Sequence, residues 1–86
     1  MFFVYILKSS KDRKLYFGFT NDLERRLEEH NSGKSPSTSP RRPPKLVYYE
    51  AYLSEEDAKK REHSLKLNGR ARVQLKSRIT KTLDLG

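Results

Sequence analysis

The chain has 86 residues and a formal net charge of +8, enough for one small domain whose modest core must draw heavily on nine aromatic side chains. It contains no cysteine, which excludes disulfide staples, thiolate zinc sites and thiol nucleophiles together. Residues 59–86 carry nine basic groups against two acidic ones, while residues 1–33 are near balance with six and five; a basic last third points to a polyanionic partner, nucleic acid first, with a merely solvated basic helix face as the plain alternative.

The opening run MFFVYIL is apolar but seven residues long and is followed at once by KSSKDRK. It lacks a basic n-region and reads as a strand rather than a signal peptide. No run is long enough to span a membrane, so a soluble, cytoplasmic protein is the default. Residues 2–8 and the run KLYFGF at 14–19 predict two strands joined by a polar turn, a hairpin. Phe3, Tyr5 and Leu7 share one face of the first strand, and Tyr16 and Gly18 share one face of the second. The turn does not fix the register; in one register Tyr5 and Tyr16 are diagonal neighbours.

A helix is expected from Asn21, with Asn21 as N-cap and Glu24 completing a capping box. Leu23 and Leu27 mark its buried stripe, Arg26 and His30 flank that stripe, and Gly33 ends it. Residues 34–44, with four prolines, form a basic loop. KLVYYEAYL at 45–53 is a third strand. Ser54 with Asp57 starts a further helix, which Asn68-Gly69 ends, and RARVQLKSRI supplies a last, basic helix with Val73, Leu75 and Ile79 as packing residues. The order β-β-α-β-α-α describes an α+β domain, a small three-stranded antiparallel sheet flanked by helices over residues 1–80, with residues 81–86 as a frayed tail.

In the helix after Ser54, Ala58 and Leu65 belong to one buried stripe, and Glu62 falls on it, while Lys59, Lys60, Arg61 and His63 can face water. A carboxylate in that position needs a partner. Two readings stand open: a structural salt bridge to Arg26, or a carboxylate facing a cleft. With His30 and His63 as the two histidines and no cysteine, a zinc site is not expected. There is no glycine-rich phosphate loop and no nucleophile elbow. Tyr5, Tyr16, Arg26, His30 and Glu62 remain as the groups able to carry chemistry. Each also has an ordinary explanation: strand tyrosines with wet hydroxyls, an arginine stem on apolar surface, a histidine complementing a helix dipole.

The order and spacing of these residues resemble the GIY-YIG nuclease family, in particular its small stand-alone members. FVY at 3–5 stands at the first tripeptide and YFG at 16–18 at the second. TNDLERRLEEHNSG carries an arginine at Arg26 and a histidine at His30, and SEEDAKKREHSLK carries a glutamate at Glu62. Phe3, Val4 and Phe17 depart from the usual motif but are apolar strand residues that the scaffold should absorb.

The resemblance implies a phosphodiesterase acting on nucleic acid, DNA before RNA. It implies one Mg²⁺ or Mn²⁺ held by Glu62, which suits a hard cation that completes its shell with water and phosphate oxygens. It further implies Arg26 on a phosphate oxygen, Tyr5 or Tyr16 as proton acceptor, and His30 helping to move that proton. Lys66, one turn after Glu62, is expected to reach the site; Arg41, Arg42, Arg70, Arg72, Lys76 and Arg78 are expected to hold the backbone elsewhere. Two rivals are a non-catalytic nucleic-acid binder with the same basic surface and a subunit directed to substrate by a larger protein partner.

Overall fold

A computed structural model describes residues 1–32 and 44–86. The expected loop and helix stop over residues 33–43, with Arg41 and Arg42, lie outside the described residues. Phe2–Ser9 forms β1, Leu15–Thr20 β2 and Pro44–Tyr52 β3, and β1 is the central strand, antiparallel to both neighbours. Its sequence, apolar on both sides, suits that place: Val4, Tyr5, Ile6 and Leu7 are each 1% exposed, because helices cover both faces of the sheet. The hairpin turn is held by Ser9, whose N–H donates to the Lys14 carbonyl at 2.9 Å while its Oγ accepts from the amides of Lys11 and Asp12. Arg13 takes a left-handed conformation there, φ 59°.

The register pairs Tyr5 with Gly18 and Leu7 with Tyr16, so Tyr5 and Tyr16 are the diagonal neighbours that one of the open registers allowed. On the other side, Tyr5 faces Tyr49 and Ile6 faces Tyr48, but Leu7 faces Leu46. Val47 is therefore the extra residue of a β-bulge.

Leu23–Asn31 forms α1, Glu55–Leu67 α2, Gly69–Arg78 α3 and Thr80–Leu85 α4. Val4 and Ile6 meet Ala58 and Leu65 of α2 and Leu75 of α3, with Phe17, Phe19 and Ile79 packed around them. This is the main core, and burial of its apolar surface is the chief source of stability. Ser54 starts α2 as expected, its side chain accepting from the Asp57 amide. Asn68 both ends α2 and caps α3, accepting from the amides of Arg70 and Ala71.

Four expectations change. The α1 cap is Asp22, not Asn21: Thr20 Oγ1 accepts the Asp22 amide at 3.1 Å, leaving the Asp22 carboxylate to accept from Arg25 N–H. Val73 is 66% exposed and does not pack in the core. Arg61 does not face water; it forms a bidentate pair with Glu50 of β3, at 3.0 and 3.1 Å. The tail that should fray is α4 instead. Buried Lys8 of β1 donates to the Leu83 carbonyl at 2.5 Å, and Lys45 donates to the Leu85 carbonyl at 3.5 Å. Cations on the last carbonyls satisfy groups a free helix end would leave to solvent.

Candidate active site

Alternation along β1 sends Tyr5 to the face opposite Val4 and Ile6. There α1 brings Arg26 and His30, four residues apart and hence on one side of the helix. His30 is fully buried and stands between two phenol rings, with ring centroids 5.9 Å from Tyr5 and 5.4 Å from Tyr16, both edge-on. The Tyr5 hydroxyl lies 3.1 Å from His30 Nε2 and accepts from Arg26 Nε at 3.3 Å. Arg26 Nη1 also donates to Glu29 at 3.0 Å.

Gly18 explains how the buried phenol reaches the cleft. A side chain there would collide with Cζ and the hydroxyl of Tyr5 and lie 2.8 Å from Cε1. The ring of Tyr5 thus crosses β2 over a glycine and ends at the open edge of the sheet. Glu62 arrives at that edge from the other side, on α2. Together they line a cleft of about 430 Å³, with Tyr16, Gly18, Phe19 and Arg26 on the sheet and α1 side and Lys59, His63 and Lys66 beside Glu62 on α2. Of the two readings open for Glu62, the cleft is the one observed. Its ion pair is with Lys66, 2.5 Å away, and not with Arg26.

Burial pushes the Tyr5 phenol above its ordinary value, outweighing the hydrogen bond and charge of Arg26 that pull it down. Burial likewise lowers His30, and the charge of Arg26 lowers it further. Arg26 itself is held more firmly protonated: burial opposes its charge, but hydrogen bonds to Glu29 and Tyr5 prevail. The resting arrangement is therefore a neutral phenol that can donate to a neutral imidazole while a permanent cation points at its oxygen.

Among the described residues, no group of three or more His, Cys, Asp or Glu side chains is placed to hold a metal. A single carboxylate on an open cleft does fit a Mg²⁺-type ion, which keeps several waters and takes further ligands from substrate phosphates. The other charged groups lining the cleft, Arg26, Lys59 and Lys66, suit a polyanion.

Of the residues expected to grip nucleic acid, Lys66 is in the cleft and Arg70, Lys76 and Arg78 are exposed on α3. Arg72 is occupied structurally: its Nη1 donates to the carbonyls of Leu65 and Lys66, closing the end of α2. Lys59 and His63, expected in water, line the cleft. A signal for them exists, since residues 59, 62, 63 and 66 follow the i, i+3, i+4, i+7 spacing of one helix face. A second polar cluster has no counterpart among the expectations. Glu50 accepts from Tyr48 at 2.7 Å, from Tyr52 at 2.5 Å and from Arg61. Burial would raise this carboxylate, but the hydrogen bonds from Arg61, Tyr48 and Tyr52 hold it below the usual range; burial and the same carboxylate push both phenols up to about 12.

Among the described residues, no helix is long and apolar enough to cross a membrane. A protein of Clostridium perfringens, UPF0213 protein CPE1444, is 46% identical over 67 residues, covering 77% of this chain and 71% of its own. UPF0213 protein SH2523 of Staphylococcus haemolyticus is 45% identical over 65 residues, covering 74% and 78%. The solution structure of UPF0213 protein BH0048 from Bacillus halodurans superposes with a TM-score of 0.57 at 41% identity, over 90% of this chain and 84% of that one. The family model for the GIY-YIG catalytic domain matches residues 1–76, a span that includes both tyrosines, Arg26, His30 and Glu62. The chain belongs to the GIY-YIG nuclease family.

Proposed function

We propose that the protein is a metal-dependent endonuclease that hydrolyses phosphodiester bonds in DNA, with Tyr5, Tyr16, Arg26, His30 and Glu62 as catalytic residues. One observation carries this reading: a hydrogen-bonded Arg26–Tyr5–His30 chain opens on the same cleft as the Glu62 carboxylate. A phenol raised by burial is a poor free base. Coupled to neutral His30 it can instead pass its own proton to Nε2 while accepting one from the attacking water, so no phenolate accumulates. Tyr16 packs edge-on against the same imidazole and helps hold its orientation toward Tyr5. Arg26 offsets charge gathering on the non-bridging phosphate oxygens. Glu62 would hold Mg²⁺ or Mn²⁺, which when bound supplies charge stabilisation to the departing 3′ oxygen. Lys59, Lys66, Arg70, Lys76 and Arg78, with Arg41 and Arg42, would bind backbone phosphates without regard to sequence.

The test is a panel of labelled DNA and RNA substrates with Mg²⁺, Mn²⁺ or EDTA, run beside Glu62→Ala. Cleavage that needs the cation and disappears in Glu62→Ala, with binding retained, is the expected result. Equal binding by both proteins and no cleavage of any substrate would replace this reading with that of a basic binding module.

A further inference from the structure

The Glu62–Lys66 pair is the feature of the cleft that catalysis alone does not require. Lys66 Nζ sits 2.5 Å from Glu62 Oε2, in the i, i+4 spacing that lets a helix neutralise its own carboxylate. The two side chains are unequal in freedom: Glu62 is 17% exposed and Lys66 47%. The carboxylate is fixed against the core stripe between Ala58 and Leu65, while the ammonium rides on a flexible stem at the cleft mouth. An ion pair with one half-exposed partner is weak enough to be exchanged. Lys59 and Arg26 line the same cleft, each paired with a carboxylate of its own, Glu55 and Glu29, so the carboxylate that a dication approaching the free protein meets in the cleft, Glu62, is already neutralised. Charges paired in this way leave little net attraction for it.

Bound nucleic acid reverses that balance. A phosphate in the cleft offers Lys66 a second anion and gives the dication additional oxygen ligands. We infer, on the reading of Glu62 as the metal-holding carboxylate, that Lys66 is an exchangeable counter-ion: it occupies Glu62 in the free protein and releases it when a phosphate of the bound strand takes the ammonium. Cation and nucleic acid then bind with positive coupling, and reciprocally, since each raises the affinity of the other by the same factor. Lys66 acts through Glu62 and the phosphate and is a positioning residue. The free protein is kept from holding a reactive cation in the absence of substrate.

Mn²⁺ binding, read by the electron paramagnetic resonance signal of the free ion, tests this directly. It is measured with and without a short DNA duplex, in the full chain carrying Tyr5→Phe to hold cleavage down. Wild-type Lys66 should give weak Mn²⁺ binding that DNA strengthens about tenfold, in the usual range of coupling between neighbouring sites. Lys66→Met should bind Mn²⁺ about tenfold more tightly without DNA and show a correspondingly smaller effect of DNA; Lys66→Arg should behave as wild type. Lys66→Met indistinguishable from wild type, with Mn²⁺ binding still abolished by Glu62→Gln, would overturn the counter-ion role and leave the metal assignment standing. Mn²⁺ binding unaffected by Glu62→Gln in every state would overturn both.

Discussion

Replacing Gly18 with alanine should disable the site through a single steric contact. The Gly18 backbone does not occupy the left-handed region, so alanine carries no conformational penalty there, and its whole effect comes from the ring lying across it. The new Cβ would overlap Cζ and the hydroxyl of Tyr5 and lie 2.8 Å from Cε1, where ordinary carbon contacts need roughly 3.5 Å or more. The ring must withdraw by about 1 Å, which breaks its hydrogen bonds to His30 and Arg26. Overpacking of this kind costs about 1–3 kcal/mol, and the lost hydrogen bonds about 1 kcal/mol more. In a chain this small the melting temperature should fall by roughly 10 °C or more. Catalysis should fall further, since a misplacement near 1 Å costs on the order of 100-fold. Urea denaturation of Gly18→Ala, Tyr5→Ala and the double variant forms a cycle that isolates the contact. With Tyr5 truncated, Gly18→Ala should cost less than about 0.5 kcal/mol. An equal cost in both backgrounds, or none in the wild type, would refute the claim that Gly18 exists to let Tyr5 pass.

Because His30 is held below its ordinary value in the folded state, the unfolded chain binds the proton more readily. Stability conferred by this group is complete above about pH 6.5 and is lost as pH falls toward its folded value; urea midpoints taken from about pH 7.5 down to 5.5 should decline, and His30→Gln should flatten that decline. Glu50, held below the carboxylate range, adds stability that persists above about pH 4.5 and is lost below it. Glu50→Ala should cost about 2 kcal/mol at neutral pH by stranding Arg61 and two tyrosine hydroxyls, and an unchanged melting temperature would show the cluster to be idle. Lys8→Met should speed amide hydrogen exchange throughout α4 with little change at Val4 and Ile6; uniform exchange across the chain would mean that Lys8 supports the whole sheet.

Much of the architecture is legible in the sequence because local signals agree with one another. Strand periods, the Ser54 cap and the Asn68-Gly69 break place β1, β2, β3, α2 and α3 within a residue or two of where they are found. The tyrosine pair, Arg26, His30 and Glu62 stand out by order and spacing, and the structure gathers them around one edge strand. What escapes is decided between elements. Tyr48, Glu50 and Tyr52 alternate along β3 in plain view, yet nothing local says that Arg61 lies opposite them. The α4 helix depends on Lys8, 75 residues away in sequence, so its own six residues read as a tail. Asn21 and Asp22 are both good caps, and Thr20 decides between them. Lys59 and His63 escape for a different reason: a helix face that is polar throughout looks like a solvent face until a strand edge packs opposite it.

Asn68 joins α2 to α3 with no residue to spare, closing one helix with its backbone N–H and opening the next with its side chain, while Arg72 reaches back from α3 to the last carbonyls of α2. The joint therefore has no slack. Bending it would break two caps and the arginine tie at once, so the two helices move as a single cranked lever. One arm carries Glu62 and the other carries Arg70, Lys76 and Arg78. A load applied to the basic arm is delivered to the carboxylate instead of being dissipated in a linker, and the distance between the two is set by the chain itself, like the fixed span of a calliper.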